Sequence, residues 1–297
     1  VLQAIRCRVD AEARRVDDER VFYRLRFVEH PAKRDVGQLG FRLRVAAAYV
    51  GVVACEPHSD FLERSRNLLA PVAQRQAAHL RKSRTDRTNA KTDTAALEGW
   101  CAAAVLKSCD AAIPKKARMA KHDMATAREL AKLSADPNGL KSVAGFLASR
   151  GIALVILRHL PGTYLDGAAM RRADGVRVIA LTLRYDRIDN FWFTLLHEFA
   201  HVSCHLNEEI SMIFDDLELG SEDKIEEEAD LFAQRALIPD DIWAQARADF
   251  GVQEICSLAE RAGVHPAIVA GRWQREFRDY RRFSKLVGHG EVRSALG

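Results

Sequence analysis

His197, Glu198 and His201, inside the stretch "NFWFTLLHEFAHVSCHL" at 190–206, spell His-Glu-x-x-His. On a helix, residues four apart stand on one face, so the two imidazoles can be aimed at one point. Zinc takes neutral imidazole nitrogen and carboxylate oxygen in a tetrahedral set, and a site that does chemistry keeps one position open for water. Glu198, beside the first imidazole, is placed to take a proton from a water that attacks a carbonyl. The surround is apolar, with "FWFTLL" before the motif and "FAHV" across it. Residue types and spacing therefore predict metal-assisted hydrolysis. The plain alternative is a surface helix that happens to carry two exposed histidines.

A third protein ligand is required. A His-x-x-Gly-x-x-His extension of the motif is excluded, because its offsets fall on Cys204 in place of the Gly and Asn207 in place of the His. The other arrangement uses a Glu on a following helix, and "KIEEEADLFAQRALIP" offers three in a row. Ile225, Ala229, Phe232, Ala233, Ala236 and Leu237 make one apolar stripe at helical spacing. At about 100° per residue, Glu226 lies ~60° from the centre of that stripe, Glu228 ~100° and Glu227 ~160°. Glu227 is thus directed to solvent, Glu226 is favoured, and Glu228 is the fallback. The competing explanation is that all three simply place negative charge in the first turn of a helix, where the dipole favours it.

The elements that must hold these residues are readable in outline. "IALVIL" (152–157) and "VRVIALTL" (176–183) are apolar, rich in β-branched residues and bounded by turn signals, as strands are. Upstream, "MATARELAKLSADPNG" and "GLKSVAGFLASRG" carry helical spacing and end on Pro137-Asn138-Gly139 and on Gly151. Three further helical regions follow the strands: one with the metal motif, one over the triple Glu, and one or two helices in the tail. The fold class expected is α+β: a small sheet with the His-Glu-x-x-His helix, preceded by a mainly helical segment.

"FTLLHEFAHVSCH", followed by an acidic stretch and by "EEEADLFAQRALIP", resembles the ImmA/IrrE family of metallo-endopeptidases. That family pairs His-Glu-x-x-His with a downstream Glu-x-x-Ala-Asn/Asp-x-Phe-Ala and a closing Leu-x-Pro. The resemblance covers roughly residues 140–285. It implies a zincin-like domain that binds Zn2+ through His197, His201 and Glu226, with Glu198 as catalytic base. Asp230 stands where many members have Asn. The resemblance also implies a substrate: a helix-turn-helix transcriptional repressor of the Xre type, cut in a stress response that relieves repression. Many relatives carry a repressor-like helix-turn-helix domain of their own at the N-terminus. Residues 1–90 show no readable Ala-x-x-x-Gly-Val turn between two amphipathic helices.

Such a turn is readable in the tail. "SLAERAGVHPAIVAGRW" (257–273) follows helix-turn-helix grammar, with "GRWQREFRDYRR" available for phosphate contacts. The family resemblance instead places that segment inside the peptidase domain, as packing or as structure that recruits substrate. His205 shares the ligand face one turn beyond His201. A fourth ligand would close the site to water, so His205 belongs behind the ligands or in packing. Asp215 and Asp216 could orient an imidazole, and Tyr185 and His159 could stabilise an oxyanion, although all four also suit ordinary loops. Trp192 and Phe193 are most simply core.

Charge divides the chain. Residues 1–95 carry 19 Lys and Arg against 12 Asp and Glu, residues 96–150 carry 9 against 5, and residues 151–297 carry 17 against 24. The organisation expected is a basic N-terminal region at 1–94 of unassigned fold with a polar linker at 81–94, a helical segment at 95–150, and the metallopeptidase domain at 151–297. The basic front half suits DNA contact, which supports a rival from another class: a DNA-binding regulator or antitoxin-type protein whose zinc site is structural or vestigial. Six cysteines without Cys-x-x-Cys spacing read as reduced thiols of a cytoplasmic protein. No apolar run approaches the ~20 residues that span a bilayer, so no membrane partner is expected.

Overall fold

The structure is a computed structural model that describes residues 94–119, 122–160, 163–172, 174–207, 212–214 and 224–296. The expectations for the basic N-terminal region and for Asp215 and Asp216 lie outside the described residues. Helix α1 (Thr94–Lys107) begins at the last residue of the expected linker, and α2 (Met124–Lys132) and α3 (Gly139–Ala148) follow. α2 starts where Asp123 accepts a hydrogen bond from the Thr126 amide, an N-cap the sequence places directly before the apolar period. Past the end of α3, Gly151 takes φ 79° and turns the chain into strand β1 (Ile152–Ile156).

Strands β2 (Gly167–Arg171), β3 (Arg177–Leu181) and β4 (Met212–Phe214) complete a four-stranded sheet in the order β1-β3-β2-β4. β3 runs parallel to β1 and antiparallel to β2, and β4 pairs antiparallel with β2. The class is α+β. Two strands match the apolar runs read from sequence, while β2 and β4 carried no comparable signal. β2 reads Gly-Ala-Ala-Met-Arg, a composition of low strand propensity. Its small residues let a helix approach the sheet closely.

Side chains alternate across the sheet, and each face has its own core. Ala153, Val155, Met170 and Val178 face Leu97, Trp100 and Ala104 of α1. The Trp100 indole donates to the Arg158 carbonyl at 2.9 Å, so the buried ring leaves no unsatisfied N–H. Ile152, Ala169, Ile179 and Leu181 face the larger core, built on α4 (Ile188–Ala200). α4 carries the metal motif and is buried nearly all round: Phe191, Trp192, Leu195, Leu196 and Phe199 are inside. Phe193 is partly buried against the same core.

Next come α5 (Lys224–Leu237), the short α6 (Asp240–Trp243), α7 (Val252–Ala262), α8 (Pro266–Phe277) and α9 (Glu291–Leu296). The tail thus holds more helices than the one or two expected. α7 and α8 are joined through Gly263 at φ 70°, a left-handed cap followed by Pro266 at the first turn of α8. α8 buries Ala267, Ile268, Val269, Ala270 and Trp273 in the α4 core. A Cβ at Gly271 would stand 2.7 Å from the Asp189 carboxyl carbon, so glycine sets the approach of α8 to α4. Asp189 is in turn gripped by both arms of Arg187, at 2.9 and 2.6 Å, and Arg187 also reaches Gln274 at 3.1 Å. The helix-turn-helix grammar is therefore met in shape, and its second helix is packed against the motif helix. Among the described residues, no helix is long and apolar enough to cross a membrane.

Candidate metal centre

α4 and α5 lie against one another and bring three side chains to one point. His197 Nε2 is 3.0 Å from His201 Nε2 and 3.1 Å from Glu226 Oε2, and His201 Nε2 is 3.4 Å from the same oxygen. Both imidazoles are buried, and Glu226 is half-buried. A tetrahedral zinc site with bonds of about 2.0–2.1 Å has its corners ~3.3 Å apart, so the triangle fits three corners of one. The donor chemistry fits as well. Three lone-pair atoms at this separation repel unless a proton or a cation lies among them. These residues could hold a divalent metal.

Electrostatics prepares the donors. Burial pushes the His201 imidazole below its ordinary pKa and keeps it neutral, the form that can coordinate. For Glu226, burial acts to raise the pKa. The neighbouring His197 and His201 imidazoles outweigh it and hold the carboxyl well below the usual carboxylate range. The set offers two imidazole nitrogens and one carboxylate oxygen.

Behind the triangle, His197 Nδ1 donates to Asp230 Oδ1 at 3.0 Å. Glu226 and Asp230 stand one turn apart on α5, so one helix face serves both sides of the same imidazole. Burial acts to raise the Asp230 pKa, but the His197 contact and the Arg275 charge bring it below its ordinary value. Arg275 reaches the other Asp230 oxygen at 3.2 Å from α8. The Asp in place of the family's usual Asn thus keeps a hydrogen-bonding role, and the Glu-x-x-x-Asp spacing was the signal that could have predicted it.

Glu198, next to His197 on α4, is 0 % exposed. It lies under β2, where a Cβ on Gly167 would come within 2.8 Å of its Cγ and 2.9 Å of its Cδ, and closer still to Oε1. Glu228, the fallback ligand, instead reaches His205 Nε2 at 3.3 Å, and Glu227 is exposed. Tyr185 is exposed beneath the Arg184 guanidinium, and His159 is exposed on its loop. Neither belongs to the cluster that could hold a metal.

Residues 154–274, from β1 to α8, match the family model of the IrrE N-terminal-like domain, peptidase family M78. This part of the chain is similar to that family. The M78 match includes both motif-bearing helices and the α7–α8 pair, which places the helix-turn-helix-like segment inside the peptidase domain. No curated protein matches the chain significantly.

Proposed function

We propose that the M78 domain is a zinc-dependent endopeptidase whose substrate is a helix-turn-helix transcriptional repressor of the Xre type, acting in the cytoplasm in a stress response. The observation that carries the reading is the convergence of His197, His201 and Glu226 within 3.4 Å of one another beside a buried Glu198. In this reading the three are the zinc ligands and Glu198 is the catalytic base. A bound zinc supplies Lewis acidity toward a peptide carbonyl and toward water.

The chain's own residues supply the rest. Glu198 takes the proton of the attacking water and delivers it to the departing amine, the two halves of general base and general acid work by one group. Gly167 leaves the volume that its carboxylate occupies. Asp230 holds His197 with Nδ1 protonated, so that Nε2 keeps its lone pair for the metal. Glu226 contributes the negative charge that partly balances the cation.

The test is cleavage of purified Xre-type repressors by the zinc-loaded chain, read on gels and by mass spectrometry. Wild type is expected to cut within the repressor, and Glu198→Gln is expected to keep zinc and lose cleavage. Cleavage that survives in Glu198→Gln would remove Glu198 from its role. Binding of repressor without cleavage by zinc-loaded wild type would favour a regulator that works by binding alone.

A further inference from the structure

The reading above leaves one buried histidine of this site without a task. α4 runs on into a π-turn at His201–His205, closed by the Leu206 amide donating to the His201 carbonyl at 2.9 Å. Such widened turns gather at functional sites. His205, its last residue, sits with its ring centroid 5.0 Å from that of His201 and its Nδ1 2.9 Å from His201 Nδ1. Its other nitrogen, Nε2, lies 3.3 Å from Oε2 of Glu228, whose side chain is 69 % exposed. One face of the ring system thus meets a metal-facing imidazole, and the other meets a surface carboxylate.

The protons along this row can be assigned from the outside inward. A carboxylate only accepts, so His205 Nε2 carries a hydrogen and donates it to Glu228. A neutral His205 then has a bare Nδ1, which can only accept. The 2.9 Å contact therefore takes its hydrogen from His201 Nδ1. That leaves His201 Nε2 bare, the atom that lies 3.0 Å from His197 Nε2 and 3.4 Å from Glu226 Oε2. We infer that His205 is a positioning residue that fixes the tautomer and orientation of His201 through Nδ1, with Glu228 fixing His205 in turn. The two histidines of the motif are thereby backed unequally: His197 directly by a carboxylate, and His201 by a neutral ring with the carboxylate one step further out. This inference deepens the metal reading of the same site and rests on it.

The test uses the full chain, zinc alone as the probe, and the variants His205→Leu, His205→Asn and Glu228→Gln. Zinc affinity is read by competition with a chromophoric chelator, and ring tautomers of the wild type are read by long-range 1H–15N NMR with and without zinc. The expected spectrum shows His205 with its hydrogen on Nε2 and His201 with its hydrogen on Nδ1. His205→Leu is expected to lose about 10–100-fold in zinc affinity, as loss of a partner behind a ligand does. His205→Asn places an amide oxygen near the former Nδ1 and is expected to restore most of that affinity. Glu228→Gln keeps an acceptor and is expected to lose little.

A His205 that carries its hydrogen on Nδ1 would overturn the inference. So would a folded His205→Leu that binds zinc as wild type does, or a folded His205→Asn as weak as the Leu variant, since either would reduce His205 to packing. If wild type takes up no zinc, the metal reading fails, and the tautomer in the metal-free protein still decides the His205 assignment.

Discussion

Gly167→Ala should destabilise the protein only while Glu198 is present. The new Cβ would stand 2.8 and 2.9 Å from Cγ and Cδ of Glu198, well inside carbon–carbon contact distance. The Glu198 side chain is fully buried between α4 and β2, so it has no solvent side to swing into. Extra carbon forced into a filled core costs about 1–3 kcal/mol. Alanine itself is not the difficulty, because glycine inside a strand is the weaker choice by ~0.5–1 kcal/mol. In a Glu198→Ala background the colliding atoms are gone, and Gly167→Ala should be neutral or slightly stabilising. The coupling between the two positions is then about 1–3 kcal/mol, since the intrinsic preference for alanine cancels between the backgrounds, and this lies in the range that touching residues show. Urea denaturation of wild type, the two single variants and the double variant, all metal-free, measures it. A Gly167→Ala penalty of equal size in both backgrounds, or none in either, would refute this placement of Glu198.

Three further outcomes are expected. Asp230→Ala should weaken zinc binding by about 10–100-fold while Asp230→Asn, which still accepts from His197 Nδ1, should weaken it less, by competition with a chelator. Trp273→Ala should cost about 3–5 kcal/mol in chemical denaturation, because its ring is inside the α4 core and its N–H is satisfied by the Arg247 carbonyl; a cost near zero would reopen a surface, DNA-reading role for α8. His265 caps α8 by accepting from the Ala267 amide through Nδ1, and burial, only partly offset by Glu291, holds its pKa below the ordinary 6.5. The unfolded chain therefore binds the proton more readily, and this stability is full above 6.5 and lost as pH falls through the folded pKa. The melting temperature should fall between about pH 7.5 and pH 5.5, and it should fall less in His265→Asn, which caps without titrating; an identical fall in both would remove His265 from the account.

The fold class was legible because most of its parts advertise themselves locally. "IALVIL" and "VRVIALTL" are continuous β-branched runs because each strand has helices on both faces. β2 escaped for a physical reason: it begins Gly167-Ala168-Ala169, with Gly167 and Ala169 toward α4, and small residues carry no strand signature. β4, at three residues, is too short for any period to show. At the candidate site the helical-wheel argument anticipated that Glu226, and not Glu227 or Glu228, would face His197 and His201, because side-chain direction on a regular helix follows from the angle per residue alone. It could not foresee that Glu228 meets His205, since that contact depends on how α4 widens into the π-turn. The helix-turn-helix grammar of 257–273 was real as geometry, yet sequence grammar does not say which face of the second helix is covered.

The most direct measurement is zinc per chain in wild type, His201→Ala, Glu226→Ala and Glu228→Ala, each purified and loaded under the same conditions. Wild type and Glu228→Ala are predicted to hold about one zinc, as one catalytic site requires, and His201→Ala and Glu226→Ala are predicted to lose it. A wild type that takes up no zinc when supplied, or a Glu226→Ala that keeps its zinc while Glu228→Ala loses it, would contradict the metal centre described above.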